Sequence, residues 1–160
     1  MNRILQNTLL KRYHIFFDYL KEDKRDIMLP IYFGIECGDG WFIILDTLMY
    51  RIKEYCHYHK VEPIEIKQIK EKFGTLSFYY SGGDSHISGI VSMATHMSTR
   101  TCEFCGTTNN VGRTEQWISI ICKDCHSTHL RRKDLKWNPN NNNRLLKLSK
   151  LNKILNDKQK

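Results

Sequence analysis

The chain has 160 residues, of which 41% are hydrophobic, and a formal net charge of +8 at pH 7. This length predicts one domain, or one domain with a small attached module, and the hydrophobic content is sufficient for a buried core. The longest apolar run falls far short of the ~18 residues that a membrane helix needs, and charged residues near the N-terminus interrupt any signal-peptide core, so neither a membrane protein nor a secreted protein is expected.

The N-terminal part of the sequence predicts two helices separated by a glycine-rich turn. Apolar residues recur at three- and four-residue steps over residues 3–22, which is the period of an amphipathic helix. After a cluster of three glycines, Asp39 is expected to cap a second helix. Trp41 and Phe42 are expected to lie in the core, and the alternative is an aromatic pair presented at the surface. The apolar stripe of the second helix consists of Ile44, Leu45, Leu48, Met49, Ile52, Tyr55 and Cys56.

Residues 64–80 have the alternating apolar pattern of a β-hairpin. The turn is predicted at Phe73-Gly74-Thr75, and a break in the alternation of the first strand predicts a bulge near Gln68. Phe78 and Tyr80 are expected to pack beneath a helix. The alternative is an exposed aromatic face on which nucleic-acid bases could stack.

A third helix is predicted after the hairpin, with Asp84 or Ser85 as its N-terminal cap. This helix leads directly into a pair of cysteines, so the cysteine-bearing module is expected to be docked on the rest of the chain. The apolar face of the helix consists of Ile87, Ile90, Val91, Ala94 and Met97.

The most specific chemical signal is a pair of Cys-x2-Cys motifs, Cys102/Cys105 and Cys122/Cys125, with sixteen residues between them. This spacing is typical of a four-cysteine zinc site, in which Zn²⁺ binds four thiolates tetrahedrally and keeps no open position. Gly106 directly follows the first pair and fits a tight turn that requires positive φ. The alternatives are four buried cysteines or two disulfides.

Two further cysteines, Cys37 and Cys56, have no partner in the motif. Unpaired cysteines beside a thiolate metal site favour a reducing compartment, so a cytoplasmic location is expected. His57 and His59 lie close to Cys56 and form a weaker candidate metal cluster, for which a coincidence at a helix end is the simpler interpretation.

The positive charge is concentrated at the C-terminus. Residues 1–130 contain fifteen basic and fifteen acidic residues, whereas residues 131–160 contain ten basic and two acidic ones. A basic amphipathic helix is expected after an Asn-rich linker at 138–143, with an acidic partner such as nucleic acid, although a solubilising tail is the alternative. The candidate binding residues beside the cysteines and along the tail are Arg113, Lys123, Arg131, Arg132, Lys133, Arg144, Lys147 and Lys150.

Three motifs follow one another in the chain: Glu36-Cys-Gly-x-Gly-Trp-Phe42, Lys70-Glu-Lys-Phe-Gly-Thr-Leu-x-Phe-Tyr-Tyr80 and Thr101-Cys-Glu-x-Cys-Gly106. In this order, over roughly residues 34–125, the chain resembles small zinc-ribbon proteins encoded by bacteriophages and prophages. That group has no firmly assigned activity, so the resemblance implies a viral or mobile-element origin and action on host machinery or defence systems in a bacterial cytoplasm.

A local resemblance covers residues 121–127, which are similar to the last zinc knuckle of HNH nucleases. The resemblance implies a catalytic Asp-His pair between the two knuckles, but residues 107–121 contain no histidine and are too few for that insert. His126 and His129 follow the second knuckle, outside the required position. The sequences His-x-Glu of zinc deaminases and His-Glu-x-x-His of metalloproteases are absent too. A non-enzymatic protein is favoured.

These features together predict an α+β fold, with helices packed on a β-hairpin, a docked four-cysteine zinc ribbon and a basic C-terminal helix. The expected parts are residues 1–100, 101–133 and 134–160. The favoured function is binding of a host macromolecule, either a host or defence-system protein or nucleic acid, as an inhibitor or adaptor. A divergent or inactive HNH-like nuclease and a homo-oligomeric structural component are the alternatives.

Overall fold

The structure is a computed structural model that describes residues 1–22 and 30–140. Within these residues the fold is mixed α+β, as the sequence predicted; the expected basic C-terminal helix lies outside them. The α-helices are α1 Arg3–Arg12, α2 Tyr19–Glu22, α3 Phe42–His59, α4 Ser85–Ser98 and α5 Lys123–Thr128. The strands are β1 Ile35–Glu36, β2 Glu65–Lys72, β3 Thr75–Ser81, β4 Val111–Thr114, β5 Ile120–Cys122 and β6 Trp137–Pro139.

The first sheet has the order β1-β2-β3 and is built on the predicted hairpin. The register shifts between Ile66 and Gln68, which confirms the predicted bulge. Phe73 and Gly74 both have positive φ, at 53° and 79°, as in the tight turns that match the right-handed twist of two strands. The short strand β1 joins β2 in parallel, with Ile35 opposite Ile69.

Helices α3 and α4 pack on this sheet, and the main core lies between the helices and the sheet. The predicted stripe of α3 is buried, except that Tyr55 is half-buried and its hydroxyl donates to Asp84 Oδ2 at 2.6 Å. Trp41 is fully buried and Phe42 packs against the core. The largest fully buried side chains are Trp41, Tyr13, Phe16, Leu9, Leu45, Leu48, Met49, Ile52, Ile64, Ile66, Ile69 and Leu76.

The single helix predicted over residues 3–22 is wrong. Helix α1 ends at Arg12, a 3-10 turn follows, and α2 covers only four residues. Phe16 and Phe17 are both buried, and they lie at the end of the 3-10 turn His14–Phe16 and directly after it rather than in a continuous α-helix. The break also lets the Tyr13 hydroxyl donate to Asp46 Oδ1 of α3 at 2.7 Å.

The predicted capping role of Asp39 is wrong too. Its carboxylate accepts hydrogen bonds from Asn2, from the backbone N–H at 2.6 Å and from Nδ2 at 2.7 Å. The bond from the Asn2 backbone, followed by that from its side chain, lowers the pKa of Asp39. Asp39 therefore connects the start of α1 to the turn before α3. Asp84, by contrast, caps α4 as predicted and accepts from the Ile87 N–H at 3.0 Å.

Met97 lies outside the buried face of α4 that the sequence predicted, because its neighbour Ser98 occupies the buried position. Met97 is 44% exposed, whereas Ser98 is fully buried. The Ser98 hydroxyl donates to Thr95 O at 2.7 Å and accepts from the Leu76 N–H at 2.9 Å. One side chain thus joins α4 to β3.

We expect Ser98→Ala to lower the free energy of unfolding by about 1–3 kcal/mol, because it leaves the buried Leu76 N–H without an acceptor. Urea unfolding measures the loss. Ser88→Ala on the same helix is the matched control, since Ser88 is exposed and its hydroxyl lies 3.1 Å from the Tyr80 hydroxyl. Equal effects of the two substitutions would contradict a structural role for the Ser98 hydroxyl.

The second sheet has the order β5-β4-β6 and extends past the region expected to be the ribbon. Strand β6 pairs with β4, with Asn138 opposite Arg113, and Trp137 Nε1 donates to Ile121 O at 3.0 Å. The linker expected from residue 138 therefore begins as a strand, because the Trp137 side chain packs on the cysteine-rich core. The three-part division of the chain stays a prediction.

Among residues 1–22 and 30–140, none of the helices combines the length and the hydropathy that are needed to cross a bilayer.

Candidate metal centre

The four predicted ligands come together at one point of the second sheet. Cys102 and Cys105 lie in the turn that follows α4, Cys122 ends β5, and Cys125 lies in α5. Their four Sγ atoms all lie within 4.8 Å of one another. Elements 17 residues apart in the sequence thus supply two thiols each, as the repeated Cys-x2-Cys pattern predicted.

The sulfur spacing fits a metal ion rather than disulfides. Cys105 Sγ and Cys122 Sγ are 3.7 Å apart, far beyond the ~2.05 Å of a disulfide bond. Four thiolates that surround an ion tetrahedrally at about 2.3 Å have their sulfurs about 3.8 Å apart. The donor set and its spacing therefore suit a tetrahedral thiolate metal site.

Backbone hydrogen bonds shape both cysteine turns. The Gly106 N–H donates to Cys102 O at 2.9 Å, and Gly106 has a φ of 78°, as its predicted turn required. The Cys102 N–H donates to Thr107 O at 2.8 Å and closes the same loop. In the second turn, the Cys125 N–H donates to Cys122 Sγ at 3.3 Å.

The thiols compete for ionisation. Burial raises the pKa of Cys102, and burial followed by the neighbouring thiols raises the pKa of Cys125. Burial opposes ionisation of Cys105 as well, but hydrogen bonds from the Thr107 backbone and the other thiols lower its pKa. Four thiolates this close together repel one another unless a cation balances them, so metal binding would release the protons.

His126 and His129 lie outside the four-thiol cluster. The His126 ring is buried, and its Nε2 lies 2.9 Å from Leu135 O, while His129 packs against the Phe104 ring with 4.5 Å between centroids. Among the described residues, Cys56, His57 and His59 form no group with metal-ligating geometry.

The cysteine module is docked on the helical part through the glycine-rich motif before α3. The Gly40 N–H donates to Glu103 O at 2.8 Å, and the Trp41 Nε1–H donates to Thr101 O at 3.0 Å. The Gly38 N–H donates to Glu103 Oε1, also at 3.0 Å. Burial raises the pKa of Glu103. The sequence predicted that the cysteine module is docked on the rest of the chain, but not which residues make the contact.

Two glycines of that motif are required by close approach of backbones, which the sequence pattern alone did not distinguish from a tight turn. A Cβ on Gly38 would lie 2.2 Å from Glu103 O, and one on Gly40 would lie 2.3 Å from Cys102 O. Neither position has positive φ. In the sequence, this close approach could have been suspected from the two glycines that flank Asp39.

The predicted basic residues lie against different neighbours on the surface. Arg113 faces a cavity with Arg100, Lys123 Nζ lies 5.0 Å from the Trp137 ring centroid, and Arg132 Nε donates to Ser119 Oγ at 3.0 Å. Arg131 lines a separate cavity beside Cys125, and Lys133 is exposed. Arg144, Lys147 and Lys150 lie outside the described residues. Their joint role in binding stays a prediction.

Comparisons with protein-family models, with curated proteins and with solved structures found no match to this chain.

Proposed function

We propose that the four cysteines bind a structural Zn²⁺ ion, and that the protein is a non-enzymatic binding protein of bacteriophage type. In this proposal it acts in a bacterial cytoplasm on an acidic host macromolecule, as an inhibitor or adaptor. The observation that carries the proposal is the closed cluster of four thiols within 4.8 Å. Such a site stabilises a fold without offering a position for substrate or water.

The placement of the thiols supports a structural role for the ion. Zinc would join the turn after α4 to the start of α5 and so close the second sheet, whose own core is small. That core consists of Cys102, Val111, Ile120, Ile121 and Cys122, with three partly buried neighbours. Binding of structural zinc contributes on the order of 10 kcal/mol to the folding of such small modules.

Zinc is favoured over an iron-sulfur centre by the spacing of the two cysteine pairs. A tetrahedral set of four sulfurs suits either Zn²⁺ or iron-sulfur chemistry. The spacing of sixteen residues between the pairs is typical of zinc ribbons. A colourless protein with one zinc per chain is therefore expected on purification.

Charge supports an acidic partner. The whole net charge of +8 comes from residues 131–160, while the remainder of the chain is balanced. Opposite charge on the partner would speed association and make the affinity depend on salt. The resemblance to phage proteins supports a host target, and a homo-oligomeric structural role is the alternative that a mass measurement excludes or establishes.

The geometry gives the nuclease alternative little support. Of its two candidate histidines, His126 is only 7% exposed and its ring nitrogen lies against a backbone carbonyl, whereas His129 is partly exposed and packs on the Phe104 ring. A catalytic ion needs an open coordination position. An ion held by all four thiolates of the cluster would have none.

The proposal is tested by comparing the full chain with a chain that ends at Asn140. The cut follows Asn140 rather than Trp137 because Asn138 and Pro139 pair with β4. We expect the shorter chain to keep its melting temperature and zinc content but to retain less host material at low salt. Capture from bacterial lysate, with and without nuclease, measures this.

Retention of a specific protein after nuclease treatment would support a protein target, and loss of all material would support nucleic acid. Equal capture by both chains would place binding on the folded body. If the metal-loaded full chain retains no host macromolecule at any salt concentration, the proposed binding function is wrong.

A further inference from the structure

Two exposed aromatic side chains lie where the hairpin meets the ribbon. Phe73, at the β2–β3 turn, is 70% exposed, and Trp117, in the β4–β5 loop, is 64% exposed. The two loops are in contact, because a Cβ on Gly74 would lie 2.9 Å from Ile118 Cγ2. Both aromatic residues line one cavity of about 280 Å³. We call Phe73 and Trp117, together with the nearby basic residues Lys72, Arg100, Arg113 and Arg132, the loop-tip surface.

The backbone at both loops adopts a conformation that side chains disfavour. Phe73 has a φ of 53° and Gln116 has a φ of 63°. The first position of such a hairpin turn is usually Asn, Asp or Gly, which tolerate positive φ. Phe73 is strained there and gains little burial in return. Backbone strain that is not offset by packing of the side chain indicates a functional constraint.

The Trp117 loop is built to hold its shape. The Thr114 hydroxyl, which is buried, donates to Trp117 O at 2.7 Å and accepts from the Ser119 N–H at 2.9 Å. The Arg132 guanidinium lies 5.1 Å from the Trp117 ring centroid, and its Nε is fixed by the bond to Ser119. One face of the indole is therefore held against a positive charge.

Several basic residues lie near the two aromatic residues. Phe73 also lines a second cavity, of about 300 Å³, together with His96, Arg100 and Arg113, and Lys72 Nζ lies 5.8 Å from the Phe73 ring. Carboxylates lie nearby too: Glu71 lines the same cavity as Phe73 and Trp117, and Glu103 interacts electrostatically with Arg132. Glu71 Oε1 accepts from the Gly74 N–H at 2.5 Å, and Glu115 Oε1 pairs with Lys136 Nζ at 2.9 Å.

We infer that the loop-tip surface binds single-stranded nucleic acid, with bases stacked on Phe73 and Trp117 and phosphates near Lys72, Arg100, Arg113 and Arg132. The inference rests on the proposed function and names the class of its acidic partner. Aromatic faces within a basic groove are the usual recognition elements for single strands, since every unpaired base offers a face for stacking. In a duplex those faces are already stacked, so single strands are preferred.

Phe73→Asn separates this role from a role in folding. Asn is favoured at positive φ, so the variant is expected to melt at the same temperature as the parent or higher. Its affinity for a fluorescein-labelled oligothymidylate, measured on the full chain by anisotropy, is expected to fall about tenfold, the usual effect of losing one stacked base. Tyr58→Asn is the matched control, because Tyr58 is 72% exposed and lines neither cavity.

Arg113→Gln supplies a second readout. We expect it to reduce the slope of log affinity against log salt concentration by about 0.7, the value for one phosphate contact on a single strand. An unchanged affinity in Phe73→Asn, or equal affinity of the parent for duplex and single strand, would overturn the inference. If nucleic acid then binds through the tail, or a host protein is retained instead, the proposed function stands and only the inference about the loop-tip surface is wrong.

Discussion

Replacing Cys105 with serine should abolish stoichiometric zinc binding and destabilise the region after residue 100 by at least about 3 kcal/mol. Cys105 is exposed, so as an ordinary surface residue it would tolerate this nearly isosteric change within about 0.5 kcal/mol. A large effect at an exposed position therefore reports the loss of a metal ligand. Zinc content by plasma mass spectrometry and urea unfolding measure the two consequences.

Cys56→Ser is the control for the zinc content and for the response to chelator, but not for the change in stability, because Cys56 is buried in the core. Cys56 is also a free cysteine, but it lies in α3 outside the four-thiol cluster. The control should keep one zinc per chain, and its unfolding should not respond to chelator differently from the parent. Full zinc occupancy in Cys105→Ser, or unchanged stability of the parent in chelator, would contradict the assignment of the four cysteines as ligands.

Gly40→Ala should separate the ribbon from the helical part and lower the free energy of unfolding by about 3 kcal/mol. The new Cβ would lie 2.3 Å from Cys102 O and 2.4 Å from the Gly106 nitrogen. Both are backbone atoms of a metal-binding turn and cannot move aside cheaply. The bonds from Gly40 to Glu103 and from Trp41 to Thr101 should be lost with the contact. Hydrogen exchange and urea unfolding detect the change.

Gly89→Ala is the control for that substitution, because a Cβ on Gly89 meets no atom within 4 Å. Since Gly89 lies inside α4, alanine there should stabilise the protein by about 0.5–1 kcal/mol. Zinc content should stay at one per chain in Gly40→Ala, because the four ligands lie within the ribbon. If both alanines raised stability, the close docking at Gly40 would be wrong.

The parts of the fold that the sequence predicted correctly are those set by local chemistry. Alternating apolar residues define the hairpin, and the break in that pattern locates its bulge between Ile66 and Gln68. Asp84 caps α4 because its partner, the Ile87 N–H, is only three residues away. The cysteine pairs needed no long-range information either, since ligand type and spacing define the site.

The errors come from contacts between residues distant in the sequence. Asp39 was expected to cap the next helix, but its partner is Asn2, 37 residues away. The helix expected over residues 3–22 is interrupted by a 3-10 turn, and Phe16 and Phe17 of that region pack in a core that α3 and the sheet also line. Periodicity measures the preference of a segment on its own, and tertiary packing overrides it.

The candidate surface was the least predictable part. Trp117 precedes β5, which begins only at Ile120, and it lies exposed in a loop. Exposure of an aromatic residue depends on which loops meet, and no local pattern encodes that Gly74 contacts Ile118. Positive φ at Phe73 could have been suspected from its place in a two-residue turn before Gly74.

The central claim, a structural zinc ion held by four cysteines, is tested most directly by zinc X-ray absorption spectroscopy on the purified full chain. The account predicts one zinc per chain with four sulfur neighbours at about 2.3 Å and no nitrogen or oxygen in the first coordination shell. Fewer than four sulfurs, a nitrogen ligand from His126 or His129, or iron in place of zinc would contradict it.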